Sequence, residues 1–179
     1  MKFVFVSDIH GSMGYAKLIP EILDREDADK LVVLGDLFYH GPRNPLPLEY
    51  DPMMVSKMLN GMKEKLVVIK GNCDAEVDEM ISEFEFNKSV ILNIAGKRIF
   101  CSHGHQFNKD NFPNEGFDVM VYGHFHVGKI EKINEKICVN VGSMSLPKED
   151  SANSYLVIDE QKITLKDLQG NVIVEEVLT

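Results

Sequence analysis

The chain has 179 residues, and 19 Lys and Arg against 28 Asp and Glu leave a net charge of −9 at pH 7. That length fits one domain over 1–179, and 44% hydrophobic residues with 26% charged ones exclude a disordered chain. The acidic balance excludes a protein that holds long nucleic acid or an anionic membrane on a basic face.

In chain order, residues 2–6 form an apolar run suited to a strand buried on both faces. Residues 15–25 place Leu18, Ile19, Ile22 and Leu23 at helical spacing, and 31–34 read as a second buried strand. The segment 40–51, with four residues Pro or Gly, is a loop. Residues 52–62 predict a helix with Pro52 in its first turn and Met54, Val55, Met58, Leu59 and Met62 as its core stripe. Residues 66–69 are a third strand, completing a βαβαβ beginning that implies parallel pairing. From Val90 onward the rhythm changes. Ala95-Gly96, Asn134-Glu135, Glu160-Gln161 and Gly170-Asn171 each separate two strand-like segments, so this half reads as largely antiparallel, with a loop over 107–115. Cys73, Cys101 and Cys138 are odd in number and widely spaced, so no disulfide framework is expected, and the last two read as buried thiols. The first apolar run is too short for a signal peptide, no run approaches the ~20 residues of a membrane span, and a reducing, cytoplasmic setting is expected.

Five of the strand-like segments run directly into a residue able to bind a metal. Residues 3–6 lead to Asp8 and His10, 31–34 to Gly35-Asp36, and 66–69 to Gly71-Asn72. Residues 99–101 lead to His103, and 119–122 to Gly123-His124, with His126 two positions on. In α/β sheets, ligands gather beyond the carboxyl ends of strands. Each residue alone has an ordinary explanation: Asp8 as a cap, Gly35-Asp36 as a turn, Asn72 as a left-handed turn residue, His103 or His105 as a hydrogen-bonded core histidine. Their joint occurrence, each at a strand end, argues against chance. Two Asp, one Asn and four His suit Mn, Fe, Zn or Co better than Ca or Mg. Seven donors exceed the needs of one ion and fit two ions ~3.5–4 Å apart sharing a carboxylate.

The order Asp8-x-His10, Gly35-Asp36, Gly71-Asn72, His103 and Gly123-His124-x-His126 resembles the signature of the calcineurin-like metallophosphoesterases. Gly41-Pro42-Arg43-Asn44, Gly71-Asn72-Cys73-Asp74, His103-Gly104-His105 and Gly142-Ser143 resemble their small bacterial members, the YfcE-type phosphodiesterases. The resemblance covers essentially the whole chain. It implies an α/β fold, a sandwich of two mixed sheets flanked by helices with the metals at one end. It also implies one metal on Asp8, His10, Asp36 and His126 and a second on Asp36, Asn72, His103 and His124. Mn comes first among the ions, with Fe, Zn, Co or Ni as alternatives. The reaction implied is hydrolysis of a small phosphodiester by a hydroxide bridging the two ions. Alternatives are a phosphomonoesterase or a non-catalytic protein-binding scaffold like the retromer subunit of that fold. A homo-oligomer, dimer or tetramer, is implied as well.

One departure stands out. The superfamily usually carries His after the ligand Asn, where it assists the leaving group, and this chain has Cys73. A thiol of ordinary pKa ~8.5 is a poorer proton donor than an imidazolium. His105 and Asp74 are the substitutes offered by sequence proximity, although Asp74 reads equally as a cap on the segment starting at Ala75. Arg43 can hold a phosphate oxygen bidentately or be a surface turn residue. Lys148 reads as a solvated surface charge, and His40 has no assigned role.

Overall fold

In the computed structural model, which describes residues 1–178, seven strands form one sheet and five a second. The first runs β12-β11-β10-β1-β2-β3-β4 and the second β5-β6-β7-β9-β8. In the first sheet, β1 (Phe3–Val6), β2 (Lys30–Val33), β3 (Leu66–Ile69) and β4 (Phe86–Asn87) are parallel neighbours. The antiparallel run β10 (Ser154–Ile158), β11 (Lys162–Asp167) and β12 (Val172–Val177) continues from β1. The second sheet comprises β5 (Val90–Ile94), β6 (Lys97–Cys101), β7 (Val119–Tyr122), β8 (Lys129–Ile133) and β9 (Lys136–Asn140).

All four expected hairpin turns connect consecutive antiparallel strands. The centre of the second sheet differs from the expected antiparallel pattern: β6, β7 and β9 pair in parallel. Hairpin signals report on adjacent segments only, and the long return between β6 and β7 has no turn signature. The consequence is functional. Three parallel strands in each sheet aim their carboxyl ends at one site.

The helix expected over 15–25 is two helices, α1 (Met13–Ala16) and α2 (Ile19–Glu26). Pro20 has no N–H to offer Ala16, so a new helix starts beside it. The next helix, α3 (Pro52–Asn60), is capped by Asp51, whose carboxylate accepts the Met54 N–H at 3.0 Å. It buries Val55 and Leu59, with Met58 and Met62 partly covered, but Met54 is 44% exposed and is not core. A short helix α4 (Glu76–Met80) buries no residue.

The core lies in layers. Phe5, Val32, Leu34, Ile69, Cys101, Val121 and Val139 fill the space between the sheets. Val4, Val6, Leu31 and Val33 point the other way, onto α2 and α3. On the outer face of the second sheet, Phe100, Met120 and Cys138 pack against Phe107, Phe112 and Phe117 of a non-helical segment. Each deeply buried aliphatic side chain contributes roughly 1.5–3 kcal/mol by leaving water. Among the described residues no helix is long and apolar enough to cross a membrane.

Glu26 interrupts the apolar face of α2. Its carboxylate accepts the Tyr155 hydroxyl at 2.6 Å and Lys166 Nζ at 2.8 Å. Burial pushes this carboxyl up, but Lys166, Tyr155 and Arg25 outweigh it and hold it below its ordinary value. A lowered folded pKa stabilises the protein above the unfolded carboxylate pKa of ~4.3 and ceases to do so as pH falls through the folded value. Glu26→Gln is therefore expected to cost about 1–3 kcal/mol at neutral pH. The gap from the parent chain should close in acid, as urea melts at the two pH values will read; a pH-independent gap would exclude the ionic origin.

Candidate metal centre

The loops after β1, β2, β3 and β6 and the end of β7 bring six of the seven predicted donors, Asp8, His10, Asp36, Asn72, His103 and His126, together, with the His124 ring beside them. Three overlapping groups of donor atoms form: Asp8, His10 and His126; Asp8, Asp36 and His103; and His10, Asp36 and Cys73. In the first, Asp8 Oδ1 lies 3.1 Å from His126 Nε2 and 3.6 Å from His10 Nε2, which is itself 3.7 Å from Asp36 Oδ2. In the second, His103 Nε2 lies 3.4 Å from Asp36 Oδ1 and 3.0 Å from Asn72 Oδ1. The His124 ring centroid is 5.1 Å from that of His103. Asp36 thus faces one imidazole with each of its oxygens.

The orientation of these groups is fixed from behind. Nδ1 of His10, His103 and His126 each lies 2.6–2.7 Å from a backbone carbonyl, of Tyr39, Leu34 and Leu146 respectively. Carbonyls only accept, so Nδ1 is the protonated nitrogen and Nε2 is turned inward. Asp8 Oδ2 accepts the Ser7 hydroxyl at 2.6 Å and the His124 N–H at 2.9 Å. Its Oδ1 is fully buried with no hydrogen-bond donor. An orphaned carboxylate oxygen facing Nε2 atoms is the arrangement a cation completes, and the donors present fit divalent transition metals.

Burial lowers the His103 pKa, but Asp36 and Asp8 together push it up to about 9. His10 is raised in the same way by Asp8, the Tyr39 carbonyl and Asp36. Burial alone would raise the Asp8 carboxyl, yet His10, His126 and His103 hold it well below the usual carboxylate range.

Five of the seven donors, Asp8, His10, Asp36, His124 and His126, occupy left-handed backbone conformations with φ between 52° and 66°. Such strain in non-glycine residues persists only where surrounding structure enforces it, and it clusters at functional sites. Asn72 is not among them, so the turn reading of that residue falls. Two glycines allow the loops to close. A Cβ on Gly71 would sit 2.1 Å from Asp36 Oδ1, and one on Gly123 would sit 1.8 Å from Ser7 Oγ.

Three features escaped the reading of the sequence. Asp74 does not cap α4: its buried carboxylate accepts the backbone N–H groups of Asp36, Leu37 and Gly71 at 2.7–2.8 Å. Burial and the Asp36 charge outweigh those donors and raise its pKa to about 6. The Ser143 and Ser145 hydroxyls donate to the Asp8 carbonyl at 2.8 and 3.0 Å. Lys148 is exposed, as expected of a solvated charge, and also lines the cleft over the site. A sixth application of the same strand-end rule, β9 into Gly142-Ser143, would have found the serines; the place of Lys148 on the cleft had no signal.

The cleft measures ≈ 650 Å³ and is lined by His10, Asp36, Asn72, Cys73, His124 and His126, with Arg43 and Tyr39 on its wall. Asp8 and His103 lie buried beneath. Cys73 is half-buried; burial and the Asp36 carboxylate push its thiol up to about 12, which leaves it protonated. The Asn72 amide donates to its Sγ at 3.4 Å, which helps aim Asn72 Oδ1 at His103. His105 is exposed, with its ring centroid 5.4 Å from His103 and 6.1 Å from His124.

Comparisons with known proteins agree with this arrangement. A calcineurin-like phosphoesterase superfamily domain matches residues 1–162. Phosphodiesterase YfcE of Escherichia coli K12 is 38% identical over 182 aligned residues, covering 99% of this chain and 97% of that protein. The solved structure of E. coli YfcE, a phosphoesterase, matches with a TM-score of 0.96 at 36% identity over 100% of both chains. Probable metallophosphoesterase YsnB of Bacillus subtilis is 26% identical over 97% of this chain and 95% of its own length. Vacuolar Protein Sorting 29 from Cryptosporidium parvum shares the fold alone, with a TM-score of 0.66 at 17% identity over 99% of this chain and 97% of the other. The chain belongs to the calcineurin-like phosphoesterase superfamily.

Proposed function

We propose that the chain is a metal-dependent phosphodiesterase of the cytoplasm that hydrolyses small phosphodiesters using two divalent cations, manganese foremost. The observation that carries this reading is the placement of Asp36, whose two oxygens face two different imidazoles. Asp8, His10, Asp36 and His126 would hold one cation, and Asp36, Asn72, His103 and His124 the other. Bound there, divalent cations supply Lewis acidity, lowering the pKa of water and neutralising charge on phosphoryl oxygens. The chain's own part is orientation. Backbone carbonyls fix three imidazoles, Asp74 fixes the loops of Asp36 and Gly71, and Arg43 offers a planar fork to a phosphoryl oxygen. His105, whose ring centroid lies 6.1 Å from that of His124, is the group we assign to donate a proton to a departing alkoxide. Three free thiols suit a reducing compartment.

A phosphomonoester is the second reading, because Lys148 adds a second cation beside Arg43. Hydrolysis of bis(p-nitrophenyl) phosphate against p-nitrophenyl phosphate, with Mn²⁺ and with chelator, ranks the two. The diester should be hydrolysed faster, and only with metal. Metal-loaded protein inactive on both would instead favour a binding scaffold.

Because the Cys73 thiol is a weak acid, Cys73→His should raise turnover on an alkyl leaving group more than on nitrophenolate. The ring must extend into the cleft, since a Cβ on Gly41 would already lie 3.5 Å from Cys73 Sγ. Equal gains on both substrates would show that position 73 takes no part in leaving-group protonation.

A further inference from the structure

Two cations in the cleft have no counter-ion. Arg43 and Lys148 both line it, and neither lies within 4.0 Å of a carboxylate among the described residues. Among the described residues Lys57, Lys88 and Lys97 hold no ion pair either; what sets Arg43 and Lys148 apart is that they line the cleft. Lys148 follows Glu-free sequence from Met144 to Pro147 and precedes Glu149 and Asp150. Glu149 lines a different pocket, with Lys109 and Lys129.

The backbone of Lys148 is tied to the metal centre. Its N–H donates to the His126 carbonyl at 3.0 Å, while the Leu146 carbonyl two residues earlier holds His126 Nδ1 at 2.6 Å. The same short loop therefore orients an imidazole and carries an unpaired ammonium into the cleft. A phosphodiester brings a single negative charge. The guanidinium of Arg43, planar and forked, suits the phosphoryl oxygens of that group. Lys148, a compact point charge, is then left without an anion.

We infer that Lys148 is a specificity-determining residue, and that the preferred substrates are phosphodiesters bearing a second anionic group, a carboxylate or a phosphate, on one of the two esterified alcohols. This rests on the phosphodiesterase reading of the same site. A second anion would pair with Lys148, and a neutral group there would leave the ammonium to water.

The test compares p-nitrophenyl carboxypropyl phosphate with its methyl ester, which share a leaving group and differ by one charge. The wild-type enzyme should prefer the carboxylate by roughly tenfold in kcat/KM, the scale of one charge-assisted hydrogen bond partly open to water. Lys148→Ala should bring that ratio close to one, Lys148→Arg should keep it, and Lys148→Glu should invert it in favour of the p-nitrophenyl diester of choline. Calorimetric binding of the matching non-hydrolysable phosphonates should follow the same order. A phosphate in place of the carboxylate reports which anion is held more tightly, and either preference supports the inference. Hydrolysis of both esters at equal efficiency, or a preference that survives Lys148→Ala, overturns it while leaving the phosphodiesterase reading intact. Hydrolysis of neither ester overturns that reading itself, and this inference with it.

Discussion

Asp36→Asn is expected to lower kcat/KM by roughly 10³-fold or more, beyond the 10–100-fold typical of losing an outer partner of a metal ligand. The substitution keeps the size of the side chain and removes its charge. The effect is large because Asp36 reaches both sides of the site, facing His10 with Oδ2 and His103 with Oδ1. Oδ1 also accepts the Cys73 N–H at 2.9 Å, so the residue fixes the Asn72-Cys73 loop as well. Elemental analysis should find close to two ions per chain in the parent and fewer in the variant, with circular dichroism unchanged. A variant that retained both ions and full activity would refute the shared carboxylate.

Asp74→Ala is expected to be the most destabilising polar substitution near the site, by about 3–5 kcal/mol. It leaves three buried N–H groups, of Asp36, Leu37 and Gly71, without an acceptor, and each such group costs about 1–3 kcal/mol. At about 2–4 °C per kcal/mol for a chain of this size, Tm should fall by roughly 10 °C. Asp74→Asn should be milder. Its single oxygen can replace Oδ2, which accepts from both Asp36 and Gly71, while its amide meets only the Leu37 N–H that Oδ1 served. Melts at equal metal concentration will decide the order; Asp74→Ala within 1 kcal/mol of the parent would show that water replaces the carboxylate at no cost.

Much of the site was legible because its donors obey a local rule. Asp8, Asp36, Asn72, His103 and His124 each follow an apolar strand by a few residues, and strand ends in such sheets converge. The parallel pairing of β6, β7 and β9 was not legible from turns, because nothing local marks a return spanning residues 102–118. It was implied by the same rule: His103 and His124 can reach one site only if their strands run the same way. Asp74 was misread because an aspartate before a helix usually caps it. Here α4 carries its own acid at Asp78, whose carboxylate accepts the Ala75 N–H at 2.8 Å, and Asp74 turns inward. Lys148 sits in a loop whose path depends on His126, a contact between residues 22 positions apart with no periodicity to reveal it. Met54 shows the limit of spacing: the helical stripe was right for Val55 and Leu59 and one residue too wide.

The division of the donors between the two sheets has a thermodynamic corollary. Asp8, His10, Asp36 and Asn72 follow strands of the seven-stranded sheet, while His103, His124 and His126 follow strands of the five-stranded one. Cations held by both sets would act as a clasp across the sandwich, closing an edge that hydrophobic packing leaves to two carboxylates and a ring of imidazoles. Folding and metal loading then become one linked equilibrium. Free metal at a hundred times its dissociation constant would add about 2.7 kcal/mol to the folded state for each independent site, so the protein's resistance to heat would follow its metal loading.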